Sequence, residues 1–295
     1  MKLGELILQT EKRFRAARLH YGHGTDNPHD EAAFLVLRGL GLPFDTDLGQ
    51  AADPSRVEGL IRRRIRERTP VAYLLSEAWL SGVPFYVDRR VIIPRSHIAE
   101  LLPSGVEPWL ARPPAQILDL CTGSGCLAVL AARAFPLALV DASDLSTAAL
   151  AVARRNVSRH GLEKRISTAR SDLFSSLGKK RYDLIVTNPP YVTSAAMRRL
   201  PAEYRHEPGL ALAAGRKGLD VVDRILAAAP THLSSRGVLV CEVGDGRVAV
   251  EKAWPRAELY WPRDEVFIAG RDALASAART AASPRTRSRR ARASR

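Results

Sequence analysis

An apolar run, Asp183-Leu184-Ile185-Val186-Thr187, leads directly into Asn188-Pro189-Pro190-Tyr191. The Asn188 side-chain oxygen and the Pro189 carbonyl are two acceptors for the two N–H bonds of a planar NH2 group, and Tyr191 offers a flat face to pack on it. Proline suits such a turn because it fixes φ and presents a carbonyl with no N–H of its own. An amide nitrogen is a poor nucleophile because its lone pair is delocalised. Acceptors that strengthen as charge develops on that nitrogen would aim the lone pair at an electrophilic carbon.

A second constellation lies upstream, in Asp119-Leu120-Cys121-Thr122-Gly123-Ser124-Gly125. Glycines let the backbone approach a ligand, and the helix that follows offers unpaired N–H groups, so the loop fits a nucleotide-like cofactor. It departs from the dinucleotide fingerprint. Ala128 stands three places after Gly125, and Asp119 would repel a pyrophosphate while attracting the amino group of a methionine moiety. Asp144, at the end of the next strand, is placed to accept both ribose hydroxyls, with a helix cap in Asp144-Leu145-Ser146-Thr147 as the alternative. Asp172, after the third strand, could meet an adenine amino group or simply make a turn.

The elements that must position these residues follow from periodicity. Residues 1–78 read as helical, with apolar positions at Leu3, Leu6, Ile7, at Ala33, Phe34, Leu37 and at Val57, Leu60, Ile61, Ile65. Asp53-Pro54 makes a helix start, and Arg62 to Arg68 reads as a solvated basic face or a binding patch. Residues 79–95 form a β-hairpin linker, with Val83, Phe85, Val87 and Val91, Ile92, Ile93 as its arms, Asp88-Arg89-Arg90 as its turn and Pro94 as its stop. Residues 96–275 alternate strands at 116–120, 138–142, 165–169, 182–187 and 238–243 with helices at 126–133, 147–160 and about 219–233. This order predicts an α/β fold, a mostly parallel sheet with helices on both faces.

The chain has 295 residues, 46% of them hydrophobic, which is ample for a core and argues against general disorder. It has neither a spanning apolar run nor the pattern of a signal peptide, so the expected compartment is the cytoplasm. Cys121, Cys126 and Cys241 are odd in number with no histidine at ligand spacing, so neither a disulfide framework nor a metal site is expected. The net charge of +14 points to an anionic partner such as RNA or a ribosomal particle. Half of that excess lies in the seven arginines from Arg279 to Arg295, within a segment 276–295 read as a disordered tail, or else as an RNA-contacting arm.

With these residues in view, the chain resembles the class I methyltransferases, and within them the protein-glutamine N5 methyltransferases, over residues 1 to about 272. The resemblance implies a Rossmann-like seven-stranded sheet preceded by a small helical substrate-recognition domain. It also implies S-adenosyl-L-methionine as cofactor and transfer of its methyl group to the side-chain nitrogen of a protein glutamine. Cys121 to Gly125 would hold the methionine part, Asp144 the ribose, Leu173 would flank adenine, and Asn188 to Tyr191 would take the substrate amide. Leu200 to Pro208, Ala211 to Gly215 and Gly218-Leu219-Asp220 look like the family's sequence after that turn; Arg95, Glu203, Arg205, His206 and Glu207 would shape the pocket mouth or hold the substrate peptide, or else form an ion-pair network.

The spellings Pro94-Arg95-Ser96-His97-Ile98-Ala99-Glu100 and Asp119 to Cys126 look like the branch that methylates large-subunit ribosomal protein L three, rather than the release-factor branch. Cys121 stands where many methyltransferases have glycine. Asp245-Gly246 stands where that branch often has asparagine, and the arginine tail has no counterpart in it. Two other readings remain: an adenine-N6 nucleic-acid methyltransferase, whose target presents the same planar NH2, and a nucleotide-binding assembly factor without catalysis.

Overall fold

The computed structural model describes residues 1–102 and 104–282. The apolar spacing of the first 78 residues produces α1 (Leu3–Ala16), α2 (Pro28–Gly39), α3 (Ser55–Glu67) and the short α4 (Val71–Leu75). Their inner faces, with Leu6, Phe14, Leu35, Val57 and Ile61, close one core. Asn27 caps α2 by accepting the Asp30 N–H, and α3 starts one residue later than Asp53-Pro54 suggested, with the Asp53 carboxylate accepting the Ser55 N–H.

The reading of Arg62 to Arg68 as a solvated face is corrected. Arg62, Arg63 and Arg66 are exposed, but Arg64 is fully buried. It donates to Glu31 at 3.0 Å and to Glu203 at 3.4 Å, and also to the His20 carbonyl. A guanidinium is stable away from water only with such partners.

The hairpin is also corrected. Its strands are β1 (Ala78–Leu80) and β2 (Val83–Phe85), joined by Ser81-Gly82, both of which have positive φ as a two-residue hairpin turn requires. The turn at Asp88 exists, since Val91 N–H donates to the Asp88 carbonyl at 3.1 Å, but Val91 to Ile93 form no strand. Side chains take their backbone groups instead: the Tyr73 hydroxyl donates to the Val91 carbonyl at 2.5 Å, and Ile93 N–H donates to the Glu207 carboxylate at 3.0 Å.

Then follow α5 (Ile98–Leu101), β3 (Gln116–Leu120), α6 (Cys126–Ala134), β4 (Leu139–Asp144), α7 (Thr147–Arg159), β5 (Ile166–Arg170) and β6 (Tyr182–Thr187). After them come α8 (Ser194–Met197), α9 (Asp220–His232), β7 (Leu233–Glu242), α10 (Arg247–Ala253), β8 (Tyr260–Arg263), β9 (Val266–Gly270) and α11 (Arg271–Ala282). Strands β3 to β9 make a seven-stranded sheet ordered β5-β4-β3-β6-β7-β9-β8, in which β9 runs antiparallel to both neighbours.

Neighbours along a strand serve opposite faces: in β3, Ile117 joins one apolar cluster and Leu118 another, because side chains alternate with period two. Both faces are therefore covered, as a parallel sheet requires. α11 crosses the boundary expected after residue 275, with Leu274 and Ala277 buried in the second of those clusters. The rest of the arginine-rich segment, 283–295, lies outside the described residues. No helix among the described residues is long and apolar enough to cross a membrane.

The chain winds outward from β3 to β4 and β5, then returns to the other side of β3 with β6. A crevice opens at the carboxyl ends of the strands where the winding reverses.

Candidate active site

At that reversal β3 and β6 end side by side. Leu120 is in register with Thr187, and the Thr187 hydroxyl donates to the Leu120 carbonyl at 2.8 Å. The glycine loop and the Asn188 turn thus leave the sheet from adjacent strands and open on one cavity of about 270 Å³. Cys121, Thr122, Gly123 and Ser124 line it from the first loop, and Asn188 and Pro190 from the second. Asp144, Asp172 and Leu173 line it from the ends of β4 and β5, and Arg95 from the segment after the hairpin.

The glycine loop divides its labour in a way the motif alone does not reveal. Gly123 and Gly125 have φ of +54° and +79°, but Gly125 does not line the cavity. A Cβ there would meet Ala153 Cα at 3.1 Å, so its smallness lets α6 and α7 approach closely. Asp119 is also withdrawn, only 1% exposed, and stands behind the loop, outside the cavity lining. One oxygen accepts the Thr122 hydroxyl at 2.5 Å and the Ala128 N–H at 2.9 Å. Burial pushes its carboxyl up to about 7, against the pull of those two donors.

Asp144 faces the cavity. Its oxygens accept one backbone N–H each, from Gly123 at 2.9 Å and Ser146 at 2.8 Å, while the cap of α7 is the Ser146 hydroxyl. A carboxylate has about four acceptor positions, so two remain for a vicinal diol. Burial raises its pKa, and the same backbone donors oppose that. Asp172 sits at the rim, paired with Arg224 at 2.8 Å with both side chains about half exposed.

Two residues lining the cavity, Cys121 and Leu173, have φ of +61° and +51°. Side chains adopt this left-handed region at a cost of roughly 1–2 kcal/mol. At Cys121 that conformation is one that glycine would adopt without this cost. Its thiol is pushed up by burial, with Asp144 adding, so it is a neutral wall and not a thiolate nucleophile.

Around the Asn188 turn the expectations divide. Pro189 is buried, and Tyr191 does not line the cavity. The Tyr191 hydroxyl lies 3.4 Å from Glu242, and its ring closes on Gly244, where a Cβ would meet Cε2 at 2.6 Å. Arg95 and Glu207, expected to hold substrate, hold each other in a two-point pair at 2.5 and 2.6 Å, and Glu207 is buried outside the cavity. Glu203 is likewise buried, accepting from His20 N–H, Arg64 and Arg68. His206 bonds the Glu67 carbonyl through Nε2, and Arg205 is exposed. Of the two readings of this group, the ion-pair network describes Glu203 and Glu207.

Sequence reasoning missed several residues. Glu242, 2% exposed at the end of β7, accepts the Ser96 hydroxyl at 2.6 Å and His97 N–H at 3.0 Å. Asn156, fully buried on α7, exchanges bonds with Tyr86 N–H and carbonyl and also donates to the Ser124 carbonyl, tying the hairpin exit to the glycine loop. A polar residue inside an apolar helix face was its only signal. Leu145 lines the cavity while 45% exposed, and an apolar residue directly after a strand-ending acid could have marked it.

Residues 106–202 match the family model described as the methyltransferase small domain. The ribosomal protein uL3 glutamine methyltransferase of Bordetella pertussis is 52% identical over 287 residues, covering 92% of this chain and 96% of that protein. The protein of the same name from Burkholderia pseudomallei is 49% identical, covering 87% of this chain and 89% of its own. That from Bradyrhizobium diazoefficiens is 50% identical, covering 87% and 85%. Among solved structures, the hMettl16 catalytic domain in complex with MAT2A 3'UTR hairpin 6 aligns with a TM-score of 0.50 at 15% identity, over 76% of this chain and 85% of that one. That is a likeness of fold.

Proposed function

This chain belongs to the ribosomal protein uL3 glutamine methyltransferases, and from that premise we propose that its cavity joins S-adenosyl-L-methionine to the side-chain amide of a uL3 glutamine. The observation that carries the reading is the meeting, at the ends of β3 and β6, of the glycine loop and the Asn188 turn on one cavity.

The donor set fits the cofactor. Asp144 has acceptor positions left for the ribose hydroxyls, and Leu145 and Leu173 supply apolar flanks for adenine. Cys121 to Ser124 border the methionine part. Asp172 is a partner for the adenine amino group even though Arg224 holds it, because a half-exposed ion pair is worth only about 0–1 kcal/mol and can be shared. Asp119 acts indirectly, by shaping the loop.

When bound, S-adenosyl-L-methionine would supply an already activated methyl group, its S–C bond breaking to leave the thioether S-adenosylhomocysteine, so the protein's share is orientation. Asn188 Oδ1 accepts one N–H bond of the substrate amide at the cavity wall, and the carbonyl of Pro189, a residue otherwise buried, is assigned the other, so that the lone pair turns toward the glycine loop. Both acceptors gain strength as positive charge develops on that nitrogen. The amide gives one proton to solvent after its new N–C bond forms. Tyr191, held by Glu242, backs the turn from outside the cavity.

The helical front domain, 1–78, is read as the part that recognises the protein substrate. The exposed arginines and the basic segment beyond 282 are read as contacts to RNA in a ribosome assembly intermediate, and the site of action as the cytoplasm. The test is incubation with methyl-labelled cofactor and either purified uL3 or ribosomal RNA. One uL3 glutamine should gain the mass of a methyl group. Label in RNA alone would establish the adenine-N6 reading, and label in neither would favour the noncatalytic one.

A further inference from the structure

Among the buried carboxylates that the transfer itself does not use, Glu207 and Glu242 stand apart. They converge from distant parts of the chain on one short strap, Pro94-Arg95-Ser96-His97. Glu207 takes the Arg95 guanidinium at two points and the Ile93 N–H just before it. Glu242 takes the Ser96 hydroxyl and the His97 N–H. The strap is thus fixed on both sides of the Arg95 carbonyl, and that carbonyl accepts from Asn188 Nδ2 at 3.4 Å.

The consequence is chemical. The two ends of an asparagine amide are nearly the same shape, but one accepts and the other donates. A peptide carbonyl only accepts, so the end of Asn188 that faces it must be the NH2. Oδ1 is then left to face the cavity. Turned over, Asn188 would present an NH2 to the substrate's NH2, donor against donor, and the turn would lose one of its acceptors.

We propose that Glu207 and Glu242 are positioning residues for methyl transfer, which hold the Pro94–His97 strap so that the Arg95 carbonyl keeps the Asn188 oxygen turned toward the substrate amide. This rests on the functional reading above for the identity of the substrate, but not for the orientation of Asn188.

The first readout is the Asn188 side-chain NH2 pair in a 15N spectrum of the free protein, identified by its disappearance in Asn188→Ala. Glu207→Gln should shift and broaden it, and Ser96→Ala, which removes one donor to Glu242, should do so more weakly. An unmoved pair in both variants overturns the proposal. If Glu207→Gln does not fold, the double variant Arg95→Met with Glu207→Met removes both charges together and should move the same resonances.

The second readout is kinetic. Glu207→Gln should lower kcat by up to about a hundredfold with little change in KM for cofactor. In an Asn188→Ala background the same substitution should have almost no further effect, because it acts through that residue. Full additivity would mean a structural role instead. If the unaltered protein transfers nothing to uL3, the functional reading fails, and the spectrum still decides the positioning.

Discussion

Asn188 and Asp144 line the same cavity and make opposite predictions, which separates binding from chemistry. In the proposed function, Asn188 provides an acceptor that would matter most as charge develops on the attacked nitrogen. Asn188→Ala should therefore leave S-adenosylhomocysteine affinity within a few fold while turnover falls on the order of a hundredfold or more. Asp144 makes contacts that would be the same before and during reaction. Asp144→Ala should weaken S-adenosylhomocysteine in calorimetry by roughly tenfold or more, since each lost hydrogen bond to a charged group is worth about 1.5–3 kcal/mol. Unchanged turnover in the first variant, or unchanged affinity in the second, would remove that residue from its assigned role.

At the scale of elements, α3 is tied to the segment after the Asn188 turn through one buried cation. Arg64 has no exposure and joins Glu31 on α2 to Glu203. Truncating it would strand the Glu31 carboxylate, nearly inaccessible to water, and leave the equally buried Glu203 with only Arg68 and the His20 N–H. Arg64→Ala should accordingly destabilise the protein by about 3–5 kcal/mol in urea unfolding, whereas Arg63→Ala on the exposed face of the same helix should change stability by less than about 0.5 kcal/mol. Equal small effects would mean that the network does not hold the front domain. The hairpin follows the same logic, because buried side chains from remote elements, rather than strand pairing, fix the backbone between Val91 and Ile93.

For the molecule as a whole, the contact between the front helices and the sheet domain carries a pH dependence. His23, in the connection between α1 and α2, is 3% exposed and lies 4.3 Å from the Tyr204 ring. Burial, with Arg95 and Arg64 nearby, pushes its pKa down to about 3. The folded protein thus keeps this imidazole neutral where the unfolded chain, at its ordinary value near 6.5, takes up a proton. Stability from this site is complete above about pH 6.5 and is lost as pH falls toward 3, by at most roughly 5 kcal/mol. Thermal unfolding from pH 7.5 to 4.5 should show the decline, and His23→Gln should flatten part of it. An identical pH profile in the variant would show that other groups are responsible.

Much of this protein is determined locally and was legible in the residues. Asn188, Pro190, most of the glycine loop and Asp144 were singled out in the sequence, and the fold brings them to one cavity, because glycines and strand-ending polar residues stand where the backbone turns away from the sheet. The alternation of strands and helices from residue 116 to 243 follows from periods of two and 3.6 and announces the parallel part of the sheet, whereas its strand order and the antiparallel edge at β8 and β9 were not legible there. Local pattern could not say which charged residues face substrate and which face each other. Arg95 and Glu207 are 112 positions apart, and only folding shows that they pair. The same limit hid Glu242 and Asn156, and it made Arg64 look solvated. Tertiary structure decided these cases because the cost of burying a charge depends on partners that arrive from elsewhere in the chain.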